Sequence, residues 1–115
     1  MSEPVDRAEL LERVDHDMEF LEEAIGMFRE DYPNLIDQIK AGVTANDSDV
    51  VHKAAHTLKG VISNFCAASA EEAAFRLERA AQGGDLSTGE DGWRTLQEEI
   101  DRMLLALNQI LQENS

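Results

Sequence analysis

"FLEEAIGMFREDYPNLIDQIKAG", residues 20 to 42, decides the fold. Leu21, Ile25, Phe28, Tyr32, Leu35, Ile36 and Ile39, followed by Val43, recur at spacings of three and four, the period of one helix face. Pro33 falls inside this run, where a proline removes a backbone donor and costs about 3 kcal/mol. The stripe stays in phase across it, which predicts one long helix kinked near residues 31 to 33, with two abutting helices as the fallback. Either way the segment is helical.

The same period governs the flanking sequence. "DRAELLERV" starts at Asp6, an N-cap residue with Glu9 three positions later, and reads as a short helix over about 7–14. Asp17 is placed to cap the long helix. "TANDSD" (44–49) is a loop, and Asp47 or Ser48 starts a helix running to about Phe65. Ser69 and Glu72 have capping-box spacing for a fourth helix, whose inward positions are Ala70, Ala73, Ala74, Leu77 and Ala81. "QGGDLSTGEDG" (82–92) is the clearest break, with Gly83 or Gly84 as C-terminal cap. Trp93, Leu96, Ile100, Met103, Leu104, Leu107, Ile110 and Leu111 stripe the last helix. Short connections between four long amphipathic helices predict an all-α, antiparallel up-down four-helix bundle. It spans about 18–112 in one domain of residues 1–115, with a short extra N-terminal helix.

Composition narrows the function. The chain of 115 residues carries 24 acids against 10 basic residues, a net charge of -14, which repels nucleic acid over most of the surface. No apolar run reaches the length of a membrane span, and the N-terminus lacks the basic and apolar regions of a secretory signal. A single cysteine, Cys66, has no internal disulfide partner, which fits a reducing cytoplasm.

Against this acidity, the 21 residues between Asp49 and Glu71 contain no carboxylate, where about four are expected at the chain-wide frequency of 24 in 115. They include "HKAAHTLKG" (52–60), with two of the three histidines and two of the three lysines. At roughly 100° per residue, Val50, Val51, Ala54, Leu58, Val61, Ile62 and Phe65 form the face opposite His56. Asp49, His52, Gly60 and Ser63 lie within roughly 40° of His56, flanked by Lys53 and Lys59. His56 therefore centres the solvent stripe; phase removes the ordinary alternative of a core histidine and leaves an idle surface residue or a functional one. Gly60, one turn on, costs about 1 kcal/mol in a helix, and its bare backbone lets another molecule approach the ring.

A solvent-facing neutral imidazole is a nucleophile toward an activated phosphoryl group. The product is roughly dianionic, so it favours a nearby cation, no nearby carboxylate, and room for the delivering partner. Lys59, the acid gap and Gly60 meet those needs. At this point "AHTLKG" (55–60) resembles the signature of histidine-containing phosphotransfer (HPt) domains of bacterial two-component phosphorelays. The resemblance extends through "SNFCA" (63–67), "AAFRLERAA" (73–81) and the long helix upstream. Many members of that family have glycine where this chain has Cys66, at the end of the helix.

The resemblance implies a cytoplasmic phosphorelay intermediate that accepts a phosphoryl group on His56 from a receiver-domain aspartate and passes it to another receiver. Lys59 would be the phosphate-side cation and Gly60 the space for partner approach. The partners would be response regulator receiver domains, including those of hybrid sensor kinases. Mg²⁺ would reside in the receiver, with no cofactor here, no autokinase activity and a monomeric state. The missing Gly-rich phosphate loop agrees, since "QGGD" has neither Walker spacing nor lysine. His52, Lys53, Ser63 and Asn64 are the candidate partner-binding residues. Cys66 is expected to be a semi-buried small hydrophobe, and His16 has no assigned role. Two other readings use the same face. One is a non-catalytic helical adaptor, which would not need His56. The other is a metal-binding bundle built on Asp49, His52 and His56, which Lys53 opposes by charge.

Overall fold

The computed structural model describes residues 3–114. They form five helices: α1 (Arg7–Arg13), α2 (Met18–Thr44), α3 (Ser48–Ser63), α4 (Ala68–Gln82) and α5 (Gly89–Glu113). The four long ones pack in a ring, α2 on α3, α3 on α4, α4 on α5 and α5 back on α2. Asp6, Asp17 and Asp47 each stand at an N-cap, where a side-chain oxygen accepts the N–H of Glu9, Phe20 and Val50 respectively.

Helix α2 is unbroken through Pro33, whose ring lies on the exposed side. Its buried residues Leu21, Ile25, Phe28, Ile36 and Ile39 face Leu96, Ile100, Met103, Leu107 and Ile110 of α5 in one continuous core. Trp93 adds a hydrogen bond, its indole N–H donating to the Ile36 carbonyl at 3.1 Å. The connections turn on left-handed residues: Asp15 and His16 after α1, Asn46 after α2, Cys66 after α3 and Gly84 after α4. At Gly84 the N–H returns to Ala81 O and that of Asp85 to Ala80 O, which closes α4 by the Schellman pattern.

Three local expectations are corrected. Helix α3 ends at Ser63 and not near Phe65, because the chain must turn at the left-handed Cys66 (φ 55°) to reach α4. Ser69 is no cap: it lies inside α4, whose N-cap position is Ala67, with no side-chain capping bond. Val50, assigned to the core face, is exposed, whereas Ala55 is fully buried. The buried arc of α3 is therefore rotated toward α4. Alanines line that contact: Ala54 and Ala55 of α3 and Ala70, Ala73, Ala74 and Ala81 of α4 are all buried. Such small side chains let two backbones approach closely.

Candidate functional site: a histidine held by a carboxylate

Helix α3 presents His56 to solvent, with 63% of the side chain exposed. The close α3–α4 approach brings Glu78 up to it. Glu78 is two turns into the alanine face of α4 and is the one buried charged side chain among the described residues, 11% exposed. Its Oε2 lies 2.7 Å from His56 Nδ1, and its Oε1 lies 2.7 Å from Lys59 Nζ. His52, one turn before His56, has Nε2 3.9 Å from the same Oε2. The two imidazoles lie nearly parallel, 7° between planes and 6.2 Å between centroids.

This overturns the expectation of an acceptor without a nearby carboxylate. The acid gap along the chain is real, but the carboxylate arrives from the neighbouring helix. Its charge is compensated on the spot. The bond to Lys59, reinforced by that to His56, holds the Glu78 carboxyl below its ordinary range against the opposing effect of burial. Glu78 is thus ionised at neutral pH and can only accept hydrogen bonds. Nδ1 of a neutral His56 must then carry the proton, which leaves the Nε2 lone pair as the free nucleophilic atom.

Lys59, expected beside a phosphoryl group, rests between Glu78 and the exposed ring of Phe75, with Nζ 5.0 Å from the ring centroid. Such a cation–ring contact contributes about 0.5–1 kcal/mol at an exposed site. Arg79 approaches the same ring, its guanidinium carbon 5.7 Å from the centroid.

Gly60 is exposed on α3, and a Cβ built there meets nothing within 4 Å. Nothing inside the protein requires the missing side chain. Ser63 is committed internally: its hydroxyl donates to Gly60 O at 2.6 Å, and its carbonyl accepts from Arg13 of α1 at 2.8 Å. Asn64 is exposed and lines a groove with Val61, Phe65 and the exposed Phe20 and Met27 of α2. Lys53 is exposed beside His52.

Cys66 is half-buried, and burial, more than any neighbouring charge, pushes its thiol up, so it is a poor nucleophile. Among the described residues no group of three His, Cys, Asp or Glu side chains is arranged to hold a metal ion. None of the helices is long and apolar enough to cross a membrane.

Sequence reasoning missed Glu78, Phe75 and Arg79. A signal for Glu78 was present: at helical phase it falls within roughly 60° of both Ala74 and Ala81, a carboxylate inside an inward-facing alanine stripe.

Fold and site together are an all-α bundle that displays a carboxylate-bound imidazole to solvent. The Hpt domain model matches residues 23–110, and the chain belongs to the Hpt domain family. Its role is therefore histidine phosphotransfer in phosphorelays. Among solved structures it is similar to histidine-containing phosphotransfer protein B (HptB) from Pseudomonas aeruginosa PAO1. The two are 22% identical over 98% of each chain, with a TM-score of 0.82, which establishes the common fold. No curated protein matches the chain.

Proposed function

We propose that this protein is a phosphorelay intermediate that takes a phosphoryl group from a receiver-domain aspartate onto His56 Nε2 and delivers it to the aspartate of a second receiver. One observation carries the reading: Nδ1 is bound to an ionised carboxylate while the rest of the ring stands in solvent. In the forward step the Nε2 lone pair attacks phosphorus, the P–O bond to the receiver aspartate breaks, and the aspartate leaves as a carboxylate. Nδ1 keeps its proton, so the product is a phosphorylated imidazolium. Its positive charge faces Glu78, which stabilises the cation as it forms. The return step uses the same arrangement, since a protonated ring is a better leaving group than a neutral one. The carrier needs no ATP, and Mg²⁺ belongs to the receiver.

Lys59 lies close enough in sequence and space to serve the phosphoryl oxygens as well as Glu78, and open Gly60 admits the receiver's aspartate. The groove bordered by Asn64, Val61, Phe20 and Met27 offers apolar docking area beside that face, with His52 and Lys53 at its other end. The protein acts in the cytoplasm as a monomer. Incubation with a phosphorylated receiver and Mg²⁺ is expected to place an acid-labile, base-stable phosphate on the wild type and none on His56→Gln. Equal labelling of the two proteins would exclude His56 as acceptor.

A further inference from the structure

We propose that Arg79 is a docking cation for the receiver, engaging a carboxylate on the partner's surface beside the transfer site; this rests on the function proposed above. Arg79 sits at the end of a continuous series of contacts that starts at the acceptor. His56 touches Glu78, Glu78 touches Lys59, Lys59 lies over Phe75, and Arg79 lies over the same ring. Among the described residues its guanidinium has no carboxylate partner. Most other arginines of this chain are paired: Arg13, Arg76, Arg94 and Arg102 each with a glutamate three or four positions away and Arg7 with Glu113, whereas Arg29 of α2 shares the lack of a carboxylate but lies over no aromatic ring among the described residues. Around Arg79 those positions are Phe75, Arg76, Gln82 and Gly83, so α4 supplies it no acid. In a chain with 24 acids, this guanidinium rests on an aromatic ring and, among the described residues, on no carboxylate, which leaves its N–H donors to a partner.

Phe75 explains how it is held. The exposed ring gives the guanidinium a flat surface to rest on, which limits the side-chain freedom lost when a partner binds. A guanidinium so placed offers its paired N–H donors to a carboxylate in bidentate fashion, and lysine cannot reproduce that geometry. Lys59, by contrast, is already committed to Glu78. The partner is thus read by Arg79 while the reacting group is served by His56, Glu78 and Lys59.

The test measures transfer from the receiver that labels the wild type fastest, at several salt concentrations, for wild type, Arg79→Ala and Arg79→Lys. Labelling by phosphoramidate, which donates its phosphoryl group with loss of ammonia and involves no receiver, runs in parallel. Arg79→Ala is expected to raise KM for the phosphorylated receiver about threefold to fivefold at unaltered kcat, as for one exposed ion pair, and to flatten its salt dependence. Arg79→Lys should recover only part of the loss. A KM within twofold of wild type for Arg79→Ala overturns the proposal. Equal losses with receiver and phosphoramidate also overturn it, since Arg79 would then serve the phosphoryl group. Failure of every phosphorylated receiver to label wild-type His56 would contradict the function itself, a result distinct from both.

Discussion

Glu78, on α4, holds His56, on α3, by a 2.7 Å contact from its Oε2 to Nδ1, across 22 residues of sequence. The same carboxylate holds Lys59 through its other oxygen. One side chain therefore selects the tautomer of the acceptor and positions the nearest cation, and it does so from the inner edge of an alanine-lined helix contact.

Replacing Glu78 by glutamine keeps an acceptor oxygen for Nδ1–H but removes the charge. A hydrogen bond to a charged group contributes roughly 1 to 1.5 kcal/mol more than a neutral one, so transfer from a receiver to His56 should slow by about tenfold. Glu78→Ala, which also frees Lys59, should slow it further. Rapid-quench transfer kinetics with the variants test this; rates within twofold of wild type would show that Glu78 is structural only.

The Glu78 carboxyl is held below its ordinary value of 4.5, first by Lys59 and then by His56. A carboxyl depressed in the folded state stabilises the fold above its unfolded pKa, and that contribution fades as pH falls through the folded value. Wild type should therefore lose stability relative to Glu78→Gln on acidification through and below about pH 4.5. Urea titrations of both proteins at pH 7 and in that acid window measure the difference. A gap between them that does not change with pH contradicts the assignment.

Gly60 separates fold from function. A Cβ there enters open space, and alanine is favoured over glycine in a helix by about 1 kcal/mol. Gly60→Ala should accordingly raise the unfolding free energy by about that amount while impairing transfer from a receiver. Denaturation and transfer assays on the same preparation check both signs. A stabilised variant with full transfer would mean that no partner approaches this backbone.

The α3–α4 contact depends on small side chains. Ala74 and Ala55 are fully buried, and both lie where the two helices meet. Ala74→Leu should destabilise by about 1–3 kcal/mol through overpacking and draw Glu78 away from His56. The corresponding readout is a falling transfer rate together with a changed His56 Nδ1–H signal in NMR.

Much of this was legible beforehand because helical phase is a local property. The stripe through Leu21, Ile25, Phe28, Ile36 and Ile39 decided α2, and it continues in phase through the exposed Pro33. The outward direction of His56 followed from the same arithmetic on α3. What escaped was non-local. The acid gap from Val50 to Ala70 describes neighbours along the chain, whereas Glu78 approaches from another helix. Its approach depends on how far α3 is rotated, a rotation that buries Ala55 and exposes Val50. Val50 was misplaced for the same reason: it lies on the edge of the arc that this rotation exposes. Capping showed a similar divide. The three aspartate caps were readable from residue type, while Ser69 has the right type but lies inside the helix it was expected to start.

The most direct test uses protein labelled with ¹⁵N in its histidines and phosphorylated by a receiver. One-bond ¹⁵N–³¹P coupling at Nε2 of His56, with Nδ1 still protonated, is the expected result. Coupling at Nδ1, or at His52 or His16, would contradict the account.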